Sequence, residues 1–434
     1  MARAARWRPT RAHVRAIAAG LGLVIVALAR HRPDLVVMAS PLLIIAAWSL
    51  VTRPVGRPTA RRRLAVGTLR EGESTYLHFE LDDAGGAHQL SAVLGDMPYV
   101  DARPPGRALT VDAGSAAVSP ARLSFALRSV RWGHHMVGPG LVSASSAFGG
   151  YRWGPVLMEE LKLVALPAAP VFDAKAPTPH PQGLVGMNRS VRPGDGSEFN
   201  TIRPFQLGDR LRRIHWPSSL RSQTLNVTST FADHDSQVLV IVDAANDIGE
   251  SGGLDGTPST LDMTVRASAA ICEHYVHRGE RVGMRLIGAA NASTQPSATG
   301  RTQLRRLLTA LAAVHPGAST EPEDADTRMR VEAGALVLML SPLISPVTLR
   351  RALALGRRGF TLVVIDTMPE RLDHGDDSDL VRIAWRIRML ERSVEMTQVA
   401  AAGIPIVPWR GPGSLDMVLR DISRRAAAPR LAHR

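Results

Sequence analysis

The sequence has a single cysteine, Cys272, and only two of its 52 basic residues are lysines. One thiol cannot form an internal disulfide, and it excludes a zinc site built on cysteine pairs. We therefore interpret Cys272 as a small buried side chain within a helix-like run. The scarcity of lysine, Lys162 and Lys175 being the two, is typical of a GC-rich genome rather than of guanidinium chemistry at every site.

Motifs that carry enzyme chemistry are also missing. The 434 residues contain no phosphate-binding loop and no paired-carboxylate motif, and their one Gly-x-Ser-x-Gly match, residues 249–253, does not directly follow a buried apolar run as a nucleophile elbow would. His134, His135 and His215 have no metal-ligand spacing with cysteines or paired carboxylates. We therefore predict a protein that is not an enzyme. A hydrolase would need a convergent Ser–His–carboxylate arrangement that the sequence does not reveal.

Acidic residues are almost absent from the N-terminal end. Residues 1–63 hold 12 arginines against one acidic residue, Asp34, whereas the remainder holds 40 basic against 38 acidic residues. The formal net charge of +13 is therefore local. Because the rest of the chain is nearly neutral, no basic groove for nucleic acid is expected.

Two apolar runs, residues 16–29 and 35–51, lie within the basic end. A spanning helix needs about 20 apolar residues, with a lower range of about 17. Five arginines on each outer flank, against two in the link 30–34, predict a membrane hairpin with both flanks cytoplasmic. The protein would then lie in the cell membrane, multi-pass, with both termini cytoplasmic. The alternatives are a signal peptide's apolar region or two core helices.

The rest of the chain changes pattern twice, so we predict an α/β protein with four regions. Short alternating strands separated by Gly and Pro favour a small β-sandwich-like domain, and strict strand–helix alternation favours a doubly wound parallel sheet. The regions are 1–63, a transmembrane helical hairpin; 64–166, β-rich; 167–235, a linker and a signature segment; and 236–434, the wound α/β domain.

The signature segment, residues 203–221, combines a turn, several arginines, one carboxylate and a tryptophan. It resembles the bacterial "domain of unknown function 58" family, with mild departures at Phe205, commonly Tyr, and Leu220, commonly Ala. The residues that carry the resemblance are Gly196, Glu198, Phe199, Arg203, Pro204, Phe205, Gly208, Asp209, Arg212, Ile214, Trp216, Ser219 and Arg221.

The resemblance implies two membrane helices, a β region and a C-terminal domain similar to von Willebrand factor A. It also implies partners, since such proteins often accompany a MoxR-type AAA+ ATPase and other membrane proteins. The expected function is a membrane-anchored, non-enzymatic adaptor or scaffold in protein complex assembly or cell-envelope processes. The resemblance implies no reaction.

Two interpretations of the signature stay open. In the structural one, Gly208-Asp209 forms a turn, residues 212–216 form an extended run, and Trp216 anchors the loop, while Asp209 pairs with Arg212 or Arg221. In the binding one, the arginines present guanidinium forks to a partner's carboxylates or to phosphate. The candidate partner-binding residues are Arg203, Pro204, Gly208, Asp209, Arg212, Trp216, Ser219 and Arg221.

A degenerate metal site is the second candidate. Asp243 ends the first strand of the wound domain, and ligands bind beyond the carboxyl ends of such strands. The resemblance places an Asp-x-Ser-x-Ser metal motif here, but the sequence reads Asp-Ala-Ala-Asn-Asp. We expect no cofactor. The alternative is a metal- or phosphate-responsive binding protein that holds Mg²⁺ through Asp243, Asp247 and Ser341. Otherwise Asp243 caps a loop or the following helix.

Overall fold

The chain forms two structural units, Met1–Leu166 and Pro167–Arg434. The structure is a computed structural model. It describes nine ranges, which are residues 5–113, 121–172, 193–206, 211–231, 237–291, 293–317, 335–358, 360–373 and 378–420.

The first unit contains two helices and twelve strands among its described residues. In chain order they are β1 (Arg8–Pro9), α1 (Arg11–Ala29), α2 (Asp34–Val51), β2 (Thr59–Leu64), β3 (Thr68–Arg70), β4 (Ser74–Asp82), β5 (Gln89–Leu94), β6 (Val100–Arg103), β7 (Ala108–Asp112), β8 (Ala121–Ser129), β9 (Gly133–Val137), β10 (Gly140–Ser145), β11 (Tyr151–Met158) and β12 (Leu161–Leu166).

The helices α1 and α2 form a hairpin that is long and apolar enough to cross a membrane. The Thr10 side chain caps α1 by accepting the His13 N–H at 3.2 Å, so this helix starts five residues before the apolar run. Small residues lie inside the pair. A Cβ on Gly20 would lie 2.7 Å from Leu43 Cδ2, which only glycine avoids. Large side chains such as Leu28 face outward.

One hydrophobic core joins three sheets in this unit. Their strand orders are β1-β11-β10-β5-β7, β2-β4-β8-β6 and β3-β12-β9. Alternation along β4 turns Leu77, Phe79 and Leu81 inward, as the sequence pattern predicts. The Phe79 and Phe125 rings meet edge to face with centroids 6.1 Å apart. The predicted sandwich is therefore a three-sheet arrangement around one core.

The second unit contains five helices and eight strands among its described residues. They are β13 (Pro193–Pro204), α3 (Trp216–Ser222), β14 (Asn226–Phe231), β15 (Gln237–Asp243), α4 (Thr260–His277), β16 (Arg281–Ile287), β17 (Thr294–Ala298), α5 (Gly300–Ala312), β18 (Leu336–Ser341), α6 (Pro346–Arg357), β19 (Thr361–Asp366), α7 (Asp379–Ala401) and β20 (Ile406–Pro408).

A six-stranded sheet forms the centre of this unit, in the order β17-β16-β15-β18-β19-β20. Numbered from β15, the order is that of a doubly wound sheet, 3-2-1-4-5-6, which reverses between β15 and β18. Leu239 and Ile241 share one core with α6 and α7. The alternate residues of β15 are also buried, and α4 packs against β15, β16 and β18. Helices therefore cover both faces.

Strands and helices alternate from β15 to β20, as the sequence pattern predicts, except where β17 follows β16 directly. The prediction of a wholly parallel sheet was wrong at one edge, because β17 pairs antiparallel with β16. Its sequence, Thr-Gln-Pro-Ser-Ala, has neither a buried apolar run nor clean alternation, so it carries no strand signal. Residues 421–434, the C-terminal end of the predicted wound domain, fall outside the described residues.

Candidate functional site

The signature segment forms a small module of its own. The strands β13 and β14 make a separate two-stranded antiparallel sheet, with Arg203 opposite Val227 and Pro204 opposite Asn226. The strand β13 therefore begins inside residues 167–235, the region predicted to hold a linker and the signature segment. Cross-strand pairing, which glycine and proline content does not reveal, overrides the composition here. Arg203 Nη1 donates to Pro204 O at 3.1 Å.

The predicted extended run at residues 212–216 was also wrong. A 3₁₀ turn covers Leu211–Arg213, Ile214 forms a single bridge to Val227, and α3 begins at Trp216. The His215 side chain caps α3 by accepting the Ser218 N–H at 3.2 Å. Pro217 suits the first turn because its missing N–H would have no helical partner there. Trp-Pro after a possible cap was the signal that could have identified this helix.

Ser219 holds the module together. Its buried Oγ donates to His215 O at 2.9 Å and accepts the Asn226 N–H at 2.9 Å. The backbone adds a bond from His215 N to Asn226 O at 2.8 Å. Ser219 therefore fixes α3 against the start of β14, which makes it a structural residue of the signature.

Trp216 and Leu220 are one helical turn apart on α3, so they share a face. Their side chains are 60% and 77% exposed, and we call this pair the signature patch. The Trp216 side chain is therefore largely exposed to solvent. Arg221 beside it is exposed as well. Gly208, Asp209 and the Arg212 side chain fall outside the described residues, so the proposed Asp209 pairing stays a prediction.

A second cluster lies where the sheet order reverses. Asp243 at the end of β15 accepts the Ser341 hydroxyl at 2.6 Å and the Thr348 hydroxyl at 2.9 Å, both on Oδ2. Its Oδ1 accepts the Ala245 N–H at 3.1 Å. The side chains of Asp243, Ser341 and Thr348 are all buried. The structure thus joins Asp243 to Ser341 and adds Thr348, a hydroxyl on α6 that the sequence patterns missed.

Asp247 has a different local role. Its Oδ1 accepts the Leu261 N–H at 3.2 Å, in the first turn of α4. The start of α4 also has a capping box, in which Ser259 and Asp262 satisfy each other's backbone N–H groups. Across the described residues, no group of three or more His, Cys, Asp and Glu side chains could hold a metal ion.

The loop after β18 is held from α7. Arg392 Nε donates to Pro342 O and Arg388 Nε to Ile344 O, each at 2.9 Å, and Arg392 forms an ion pair with Asp366. The hydrogen bond from Arg388 to Glu395, 2.8 Å long, raises the pKa of Arg388. These arginines were not among the predicted site residues.

Leu343 lies in the same loop with a left-handed backbone, φ +54°, although its side chain is fully buried. This conformation is unfavourable for a residue with a Cβ, so surrounding contacts must maintain it. One is the bond from its N–H to Ser341 Oγ at 2.9 Å. Contacts within the protein therefore hold the loop after β18 in one conformation.

Together these features define a class: an α/β chain with two apolar helices, a wound sheet and a surface-exposed signature module. Residues 201–380 match the family described as "Protein of unknown function DUF58". This match confirms the resemblance inferred from the signature. The matched region begins within β13 and includes the sheet strands from β15 to β19.

Bacterial proteins are also similar to part of the chain. Uncharacterized proteins from Mycobacterium bovis and Mycobacterium tuberculosis are 27% identical to it over 260 residues. The similarity covers 58% of this chain and 73% of each relative.

Proposed function

We propose that this protein is a membrane-anchored, non-enzymatic adaptor that presents the signature patch to a partner protein. The observation that carries the proposal is the exposure of Trp216 and Leu220 on a helix whose other face is fixed by Ser219. Exposed aromatic side chains on a rigid support are the usual anchors of protein interfaces. Arg221 adds a fork suited to a partner's carboxylate.

The anchor is the α1–α2 hairpin, which we propose crosses the membrane twice and leaves both termini in the cytoplasm. Its outward-facing large apolar side chains and its inward-facing small residues support this, because a soluble hairpin would bury the large ones. The arginine flanks support the orientation. A reporter fused after Arg434 should be active only in the cytoplasm, and activity outside it would overturn the topology.

The partner we propose is a MoxR-type AAA+ ATPase, with other membrane proteins as clients in complex assembly or cell-envelope processes. The similarity of residues 201–380 to the family supports this choice, as does the six-stranded wound sheet, which we propose to be of the von Willebrand factor A type. In this scheme the sheet is a rigid support, and the chain needs no cofactor and binds no nucleic acid.

The test is capture of the ATPase by the tagged full chain from solubilised membranes. The double variant Trp216→Ala/Leu220→Ala should lose most of the captured ATPase, because truncating interface anchors costs about 2 kcal/mol or more each. Met417, which is 78% exposed, provides a matched control, and Met417→Ala should capture as much as the unchanged chain. Equal capture by both variants would reject the signature patch as the docking site.

A second candidate is a metal- or phosphate-responsive binding protein that uses the carboxyl edge of the sheet. The observation that favours it is the meeting of Asp243, Ser341 and Thr348 where the sheet order reverses. The same contacts satisfy these groups without an ion, so the adaptor comes first. In calorimetry, Mg²⁺ titrated into the protein should give no binding heat that depends on Asp243. A Mg²⁺ binding heat that is present in the unchanged chain and lost in the Asp243→Ala variant would favour the second candidate.

A further inference from the structure

The outward face of α7 carries a continuous apolar row. We call it the α7 stripe: Leu380, Ile383, Ile387, Leu390 and Val394, each between 52% and 79% exposed. Their spacing alternates between three and four residues, which is the a and d pattern of a coiled coil. Of the 23 residues in α7, only Val399 is buried. In the part of the chain that the structure describes, this apolar row is left without a partner.

The opposite face of α7 is firmly attached. Arg388 and Arg392 bind backbone oxygens of the loop after β18, and Val399 enters the core shared with α6. Their positions, four and seven residues apart, place them on one side of the helix. Because this side is fixed to the sheet, the α7 stripe is held facing away from the six-stranded sheet.

We propose that the α7 stripe pairs with the same stripe of a second copy of this chain, as a parallel two-stranded coiled coil. Alternating steps of three and four residues fit the holes of another helix rather than a flat surface. The apolar positions run from Leu380 to Val394, two heptads and a length of about 22 Å at about 1.5 Å per residue, and Thr397 takes the next d position. Ile387 and Val394 at a, with Leu390 at d, is the combination that favours two strands, whereas Leu380 at a and Ile383 at d is the reverse combination.

The charges beside the stripe favour a parallel pair of identical helices. Arg386 occupies a g position and Glu391 the next e position, so a parallel pair in register places each Arg386 beside Glu391 of the second copy. An antiparallel pair with Ile387 opposite Leu390 would instead place Arg386 opposite Ser393 and Glu391 opposite Ala384. Only the parallel arrangement joins opposite charges, and it joins them twice by symmetry. The proposal does not depend on the adaptor function.

Disulfide formation in the full chain, kept in its membrane, tests the pairing. Parallel helices in register bring identical a residues together, so Ile387→Cys should cross-link most copies into dimers under mild oxidation. Arg382→Cys, at an exposed position off the stripe, is the matched control and should remain largely monomeric. The native thiol does not interfere, because Cys272 is fully buried.

Three results would overturn the proposal. Equal cross-linking at both positions would indicate random collision, and an Ile387→Cys variant whose new thiol reacts with alkylating agents but does not cross-link would show a stripe without a partner. A thiol there that is protected in a monomeric chain would show that another part of the chain covers the stripe.

A charge exchange checks the register: Arg386→Glu should weaken the dimer about fivefold, and adding Glu391→Arg should restore it. Failure of the restoration would reject the parallel arrangement.

Discussion

Replacing Asp243 with alanine tests whether this carboxylate is a structural joint of the wound sheet. The change removes the acceptor for two buried hydroxyls, Ser341 and Thr348, and for the Ala245 N–H. Hydrogen bonds to a charged group contribute about 1.5–3 kcal/mol each, and buried donors left unpaired are costly. Relief from burying a charge offsets part of this. We expect a net loss of about 4 kcal/mol in the stability of the sheet.

Hydrogen exchange of peptides from β15 and β18 measures this loss in the sheet alone, whatever the rest of the chain does. A change of about 4 kcal/mol corresponds to exchange faster by about 10³-fold, since about 1.4 kcal/mol is tenfold. Asp247→Ala is the matched control. It removes the acceptor of the Leu261 N–H at the start of α4, a helix-capping contact worth about 1 kcal/mol.

The variants also test the coupling between Asp243 and Thr348. Thr348→Val removes one of the three bonds, and combining it with Asp243→Ala should cost less than the sum by about 1 kcal/mol or more. If Asp243→Ala accelerates exchange no more than Asp247→Ala does, the carboxylate is not a joint and the reasoning fails.

Three further predictions follow from single side chains. Ser219→Ala should destabilise the contact of α3 with β14 by about 1–2 kcal/mol, seen as faster exchange in β14; unchanged exchange would refute its structural role. Burial lowers the pKa of His135, so the first unit should lose stability as pH falls below about 6.5, and His135→Gln should flatten this dependence in thermal melts. Burial raises the pKa of Cys272 to about 12, so native protein should resist alkylation at pH 8, and rapid labelling would contradict the burial.

The wound sheet was predictable because its strands are buried on both faces and therefore appear in the sequence as continuous apolar runs. β15 and β18 show this clearly, with almost every residue buried. Edge elements lack that signal. β17 is half exposed, and β13 gains its structure from pairing with β14, which sequence composition cannot show.

The candidate site was predictable only in part, for a related reason. The rule that parallel strands end at one edge predicted that Asp243 and Ser341 are neighbours. Thr348 and Arg392 were missed because their contacts depend on how α6 and α7 are rotated against the sheet, which a single sequence does not specify. The residue types of the signature indicated the family. The start of α3 at Trp216 was not predicted, because the His215 side chain caps this helix.

The most direct test of the adaptor proposal is the affinity of the full chain, in a lipid nanodisc, for the MoxR-type ATPase of the same organism. We predict specific binding that Trp216→Ala weakens by about 30-fold or more, the equivalent of about 2 kcal/mol at an interface anchor, with Met417→Ala unchanged. No binding by the unchanged chain, or equal binding by the Trp216→Ala variant, would contradict the account.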